Sequence, residues 1–149
     1  MSTSTANKGQ VLIIDDDAEL LEVLQEIVSI KHECVGFTNA QAAIEILKDN
    51  NTFDVIICDL MMPKMSGIQF FEALRQFAPH YLSRVIFLTG GSFTEDADRF
   101  LAKPEIAFFE KPIDTKLLLK AIETLVSQNS WENPVPKSVP SNLPLKKTG

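Results

Sequence analysis

The chain has 149 residues, 45% of them hydrophobic, enough for one compact domain and too few for two full ones. A formal net charge of −6, with no Lys/Arg-rich block to neutralise phosphates, argues against a protein whose main task is gripping nucleic acid. The longest apolar runs are four or five residues, against the roughly 20 needed to cross a bilayer, and "MSTSTANKGQ" lacks the apolar centre of a secretory signal. Cys34 and Cys58 show no CxxC spacing and read as small core residues. The expectation is a cytoplasmic protein in a reducing compartment, not in a membrane.

Composition divides the chain into three. Residues 1–9 are Ser/Thr/Asn-rich and expected to be flexible; residues 10–128 carry the periodic apolar signal. From Asn129 the chain holds Pro134, Pro136, Pro140 and Pro144, half of its eight prolines, and reads as a linker or tail without an output domain. The sole Trp131 lies in that tail, able to serve either the domain or a partner.

Within the middle region strand and helix signals alternate. "QVLII" (10–14) is a short apolar strand ending in acids, and Leu20, Val23, Leu24 and Ile27 then follow the helical i, i+3, i+4, i+7 rule, with Asp16 or Asp17 as cap. "ECVGFT" (33–38) is a weaker strand, and Asn39 can cap a helix with Ala43, Ile44 and Leu47 on its apolar face. "DVIIC" (54–58) is the third strand; Gly67 opens a helix through Phe70, Phe71, Leu74 and Phe77 that Pro79 stops. "RVIFLT" (84–89) is the fourth, followed after Gly90 and Gly91 by a short helix with Phe93, Ala97, Phe100 and Leu101. "IAFFE" (106–110) is the fifth, and Leu118, Ala121, Ile122 and Leu125 mark the last helix. Strands one, three and four are apolar throughout, as in a parallel sheet covered on both faces. The expected fold is therefore α/β: a doubly wound, five-stranded parallel sheet in the flavodoxin-like order 2-1-3-4-5.

Such sheets bind ligands beyond the carboxyl ends of their strands. Strand one ends in Asp15, Asp16 and Asp17, strand three in Asp59, strand four in Thr89, and strand five in Glu110 and Lys111. Each has a simpler explanation alone: a cap, a β-residue, a solvated lysine. Together they put carboxylates, a hydroxyl and an ammonium on one rim. Carboxylates within about 4–6 Å repel one another and raise a pKa unless a cation intervenes. Lys111 supplies one charge and a hard Mg²⁺ would supply two. Asp59 could then stay ionised and attack phosphorus, with Thr89 and Lys111 donating to the phosphoryl oxygens.

The stretches "VLIIDDD", "DVIICDLMMPKMSG", "VIFLTGG" and "FFEKPID" resemble the receiver domain of two-component response regulators, the CheY-like fold, over roughly residues 10–127. The resemblance implies that Asp59 accepts phosphate from a phosphohistidine on a sensor histidine kinase or histidine phosphotransfer protein. It implies Mg²⁺ held by Asp16, Asp59 and the backbone carbonyl of Met61, with Asp15 helping. It gives Thr89 and Phe108 as switch residues, Lys111–Pro112 as a cis peptide, and the helix–strand–helix face of residues 93–126 as a possible homodimer or partner surface. Such a chain stands alone or belongs to a hybrid sensor kinase.

Departures from the family pattern are Gly90 and Gly91 after Thr89, and Phe108 without a tyrosine hydroxyl. Neither Met61 nor Gly91 can orient an attacking water, so slow hydrolysis of the phosphoaspartate is expected. Three other readings compete. A haloacid-dehalogenase-like phosphatase would use Asp15-x-Asp17, but Ala18-Glu19 follows and no later acidic strand end completes its site. A degenerate receiver serving only as a binding module would not need the intact acidic set. A flavodoxin-like electron carrier is disfavoured by three aspartates where a flavin phosphate would bind. His32 and His80 are isolated and read as surface or loop residues.

Overall fold

The computed structural model describes residues 8–49, 52–91 and 94–128. Five strands alternate with five helices: β1 (Gln10–Ile14), α1 (Ala18–Val28), β2 (Glu33–Phe37), α2 (Ala40–Asp49), β3 (Val55–Asp59), α3 (Gly67–Phe77), β4 (Val85–Thr89), α4 (Glu95–Leu101), β5 (Ala107–Glu110) and α5 (Thr115–Gln128). The sheet is parallel throughout in the expected order β2-β1-β3-β4-β5.

Because side chains alternate along a strand, the buried residues split into two clusters. Leu12, Ile14, Ile56, Cys58, Val85, Phe87 and Phe108 face α2, α3 and α4. Val11, Ile13, Val55, Ile57, Ile86, Leu88 and Phe109 face α1 and α5. Every residue of β3 and β4 is buried, which is why those strands read as continuous apolar runs. On the first face Phe71, Phe87 and Phe100 meet edge to face with centroids 5.2–5.7 Å apart, tying α3 and α4 to the sheet.

Three details differ from the sequence reading. β3 runs one residue further, so that Asp59 itself pairs with Leu88 of β4. Arg84 is not in β4; it closes a 3-10 turn, Pro79–Arg84, whose buried Tyr81 holds it against the core. Cys58 is buried as expected, but Cys34 on edge strand β2 is only half-buried. Phe93 and the tail with Trp131 lie outside the described residues.

The turn from β3 into α3 is tight. Ser66 caps α3 in a reciprocal capping box with Gln69, and the Gly67 amide donates to the Leu60 carbonyl at 2.8 Å. A Cβ on Gly67 would stand 2.7 Å from the Asp59 carbonyl oxygen and 2.8 Å from Leu60 Cα. Both are backbone atoms and cannot swing away. Gly67→Ala should therefore lower stability by about 1–3 kcal/mol, read as a lower denaturant midpoint at unchanged slope.

Candidate functional site

The carboxyl ends of β1, β3, β4 and β5 meet on one rim. Asp15 follows β1 directly and its amide donates to the Phe37 carbonyl of β2 at 3.1 Å. Asp59 ends β3 and Thr89 ends β4. Lys111 follows β5, its amide donating to the Thr89 carbonyl at 2.8 Å, and the Lys111–Pro112 bond is cis as expected. Lys111 Nζ lies 3.2 Å from Asp15 Oδ2 and 3.4 Å from Asp59 Oδ1. Carboxylate oxygens of Asp15, Asp16 and Asp59 all fall within 4.8 Å of one another.

The three consecutive aspartates divide their work. Asp17 is the α1 cap, its Oδ1 accepting from the amides of Glu19 and Leu20. Asp15 is fully buried, and its Oδ1 accepts the Asp17 amide at 2.9 Å, which fixes its rotamer. Asp16 is exposed and contributes the solvent side of the cluster. The sequence left the cap open between Asp16 and Asp17; capping by Asp17 frees Asp16.

Electrostatics follow from this crowding. Burial is the largest influence on Asp59, and with the Asp15 charge and a hydrogen bond that protonated Asp59 donates to Asp16 it pushes the pKa up to about 7 despite Lys111. Burial likewise raises Asp15, offset in part by the Asp17 amide and Lys111. Burial alone would lower the Lys111 pKa, but Asp59 and Asp15 outweigh it and hold the ammonium above its ordinary range. Three carboxylates facing one ammonium leave a net negative, all-oxygen donor set. That composition fits a hard divalent cation such as Mg²⁺.

The Thr89 hydroxyl is buried on the same rim with no hydrogen-bond partner among the described residues. Gly91 sits in the left-handed region at φ +91°, a conformation glycine adopts without strain. Cys58, beside Asp59, is no competing nucleophile: burial holds its thiol pKa well above the usual range. Phe108 is buried beneath the rim, paired in register with Phe87. Met61 is 44% exposed and borders a groove of about 640 Å³ between α3 and α4, floored by Leu60, Ala97 and Phe100.

Sequence reasoning missed the groove, because it forms between elements distant in the chain. It also misjudged His32, which is buried and bonded on both ring nitrogens, to Gly9 and to Glu123. Its partners lie 23 and 91 residues away, so no local pattern marked it. His80 is exposed and lies against the Tyr81 ring.

The family model described as the response regulator receiver domain matches residues 11–123. A response regulatory protein of Vibrio cholerae serotype O1 is 30% identical over 140 residues, covering 93% of this chain and 57% of that protein. The transcriptional regulatory protein CpxR of Escherichia coli K12 is 28% identical, over 83% of this chain and 51% of its own length. The chain thus spans about half the length of these curated relatives. The crystal structure of a receiver domain protein from Clostridium thermocellum superposes with a TM-score of 0.70 at 26% identity, covering 80% of this chain and 94% of that one. With the acidic rim, the crossover order and the match over residues 11–123 in agreement, the chain belongs to the response regulator receiver domain family.

Proposed function

We propose that this receiver takes a phosphoryl group onto Asp59 from a phosphohistidine of a sensor histidine kinase or histidine phosphotransfer protein, and that the modified rim changes partner binding. The convergence of Asp15, Asp16 and Asp59 on the Lys111 ammonium carries the proposal. Asp15, Asp16, Asp59 and the Met61 carbonyl would hold Mg²⁺, which when bound supplies positive charge opposite the carboxylates and the phosphoryl oxygens. An ionised Asp59 oxygen attacks phosphorus; the new O–P bond forms as the P–N bond to imidazole breaks, and the imidazole leaves with the bonding pair. Lys111 donates to one phosphoryl oxygen, and the unpartnered Thr89 hydroxyl turns to another. Phe108, opposite Phe87 and two residues deeper in the β4–β5 register than Thr89, is the proposed aromatic that repacks as Thr89 moves.

The chain acts in this reading as a stoichiometric, cytoplasmic acceptor and not as a turnover enzyme. The α4–β5–α5 face is the proposed surface for a partner or a second copy. Phe100 and Leu101 are core residues and do not belong to that face.

Incubation with acetyl phosphate and Mg²⁺ should give a single phosphoryl adduct by mass spectrometry, absent from Asp59→Ala and lost on chelation. Sustained hydrolysis of a phosphomonoester, or an adduct that survives in Asp59→Ala, would overturn the assignment.

Met61 and Gly91 flank the proposed phosphoryl site without a group that can orient water. Combining Met61→Asn with Gly91→Glu should shorten the phosphoaspartate lifetime by about tenfold, followed by decay of the adduct after the donor is removed.

A carboxyl whose pKa rises on folding favours the folded state only while protonated. The Asp59 contribution to metal-free stability is therefore present at low pH and is lost as pH climbs through about 7. Asp59→Asn should raise the metal-free melting temperature at about pH 8 and do little at about pH 4. Mg²⁺ should stabilise the wild-type protein more at the higher pH and lose that effect in the variant; a pH-independent difference would refute the repulsion account.

A further inference from the structure

The core beneath α1 and α5 leaves one flank of α1 uncovered. Leu21, Leu24 and Val28 bury that helix against the sheet. Val23 is 47% exposed and Ile30 77% exposed, two of the three large hydrophobic side chains left open among the described residues. A helix turns about 100° per residue, so Val23, Ile27 and Ile30 form one row directed away from the buried side chains. The Ile30 amide donates to the Ile27 carbonyl at 3.4 Å, which carries the helical course past Val28. Half-buried Leu20 continues the row at its other end, where it packs against the core.

α5 lies beside this row. Glu123 Oε2 is 2.8 Å from Nε2 of His32, in the chain just after α1, so the side of α5 that carries Leu119, Glu123 and Val126 faces α1. Leu119 and Val126 are half-buried against the same core. Between the two helices runs an apolar seam open to solvent.

Charge is divided unevenly across that seam. α1 carries Glu19, Glu22 and Glu26 and no basic residue. α5 carries Lys116 and Lys120, both exposed, against a single acid, Glu123, which His32 engages. Glu19 and Glu26 fall on one line bordering the apolar row, and Lys116 and Lys120 are neighbours on the outer face of α5. Other charges nearby do not reverse this division. Asp17 and Asp114 accept amides at the starts of α1 and α5, Lys8 pairs with Glu33 at 3.0 Å, and Lys31 stands beyond the end of α1.

We propose that the seam is the interface of a two-fold homodimer in which α1 of each copy lies on α5 of the other. Charge selects this arrangement. A two-fold axis running across the seam would set α1 against α1, acid against acid. An axis running along it sets each α1 opposite the other copy's α5, so that acids meet lysines twice and the apolar rows close between them. A contact of this kind uses one self-complementary patch and ends at two copies. Val23 and Ile30 then form the apolar centre and the charged rows the rim. α1 has no part in the α4–β5–α5 face, and the inference does not rest on phosphoryl transfer.

Sedimentation of the full chain over a concentration series tests it. The wild type should dimerise, and Ile30→Asp should weaken the dimer roughly tenfold or more. Glu19→Lys with Glu26→Lys gives a chain basic on both helices; Lys116→Glu with Lys120→Glu gives one acidic on both. Each should be monomeric alone, and an equimolar mixture of the two should restore the dimer, which also shows that both fold. A wild type that stays monomeric up to about millimolar concentration would overturn the proposal. So would a mixture that stays monomeric, or a dimer that survives Ile30→Asp or the reversal of Glu19 and Glu26, as contact through the α4–β5–α5 face would.

Discussion

The site depends on mutual repulsion among three carboxylates held within 4.8 Å of one another and balanced by a single ammonium. Left in water these aspartates would drift apart. Here Asp15 and Asp59 are pinned by strands whose side chains are otherwise buried, so the fold confines negative charge it cannot disperse. Stability given up in this way is stored as affinity for whatever positive charge completes the rim. A raised Asp59 pKa and a raised Lys111 pKa express the same constraint from its two sides.

Rigidity of the sheet makes that confinement possible. Aliphatic and aromatic side chains cover both faces of β1, β3 and β4, and α3 closes onto the end of β3 through Gly67 with no room for a methyl group. The acidic residues thus sit on backbone that has little freedom to relax, while Asp17 and Ser66 take the helix-capping work that could have diverted them. Around this frame Met61 is exposed, and a side chain at Gly90 or Gly91 would meet no atom within 4 Å.

The two ends of the strands solve different electrostatic problems. At the carboxyl ends, charge is concentrated and left incompletely neutralised. At the amino ends, His32 and Asp54 accept backbone amides of Gly9 and Gln10 as the chain enters β1. One end keeps its charge uncompensated and the other satisfies its amides, which separates the proposed chemistry from the anchoring of the chain.

The sequence by itself determined the alternation of strand and helix, the strand order and the identity of the rim residues. Those signals are local: runs such as "VIIC" and "VIFL", helical spacing of Leu20, Val23, Leu24 and Ile27, and acids, threonine or lysine at strand ends. It located Asp15, Asp16, Asp59, Thr89 and Lys111 because parallel topology carries every strand end to one edge. Only the tertiary structure decided that Asp17 caps α1, that Asp59 extends β3, and that Arg84 folds into a 3-10 turn, since each turns on hydrogen-bond geometry within a residue or two. Only the tertiary structure revealed His32 as a buried bridge and opened a groove between α3 and α4. Contacts between residues 91 apart leave no periodicity in the chain, and their energetics exist only once packing has excluded water around them.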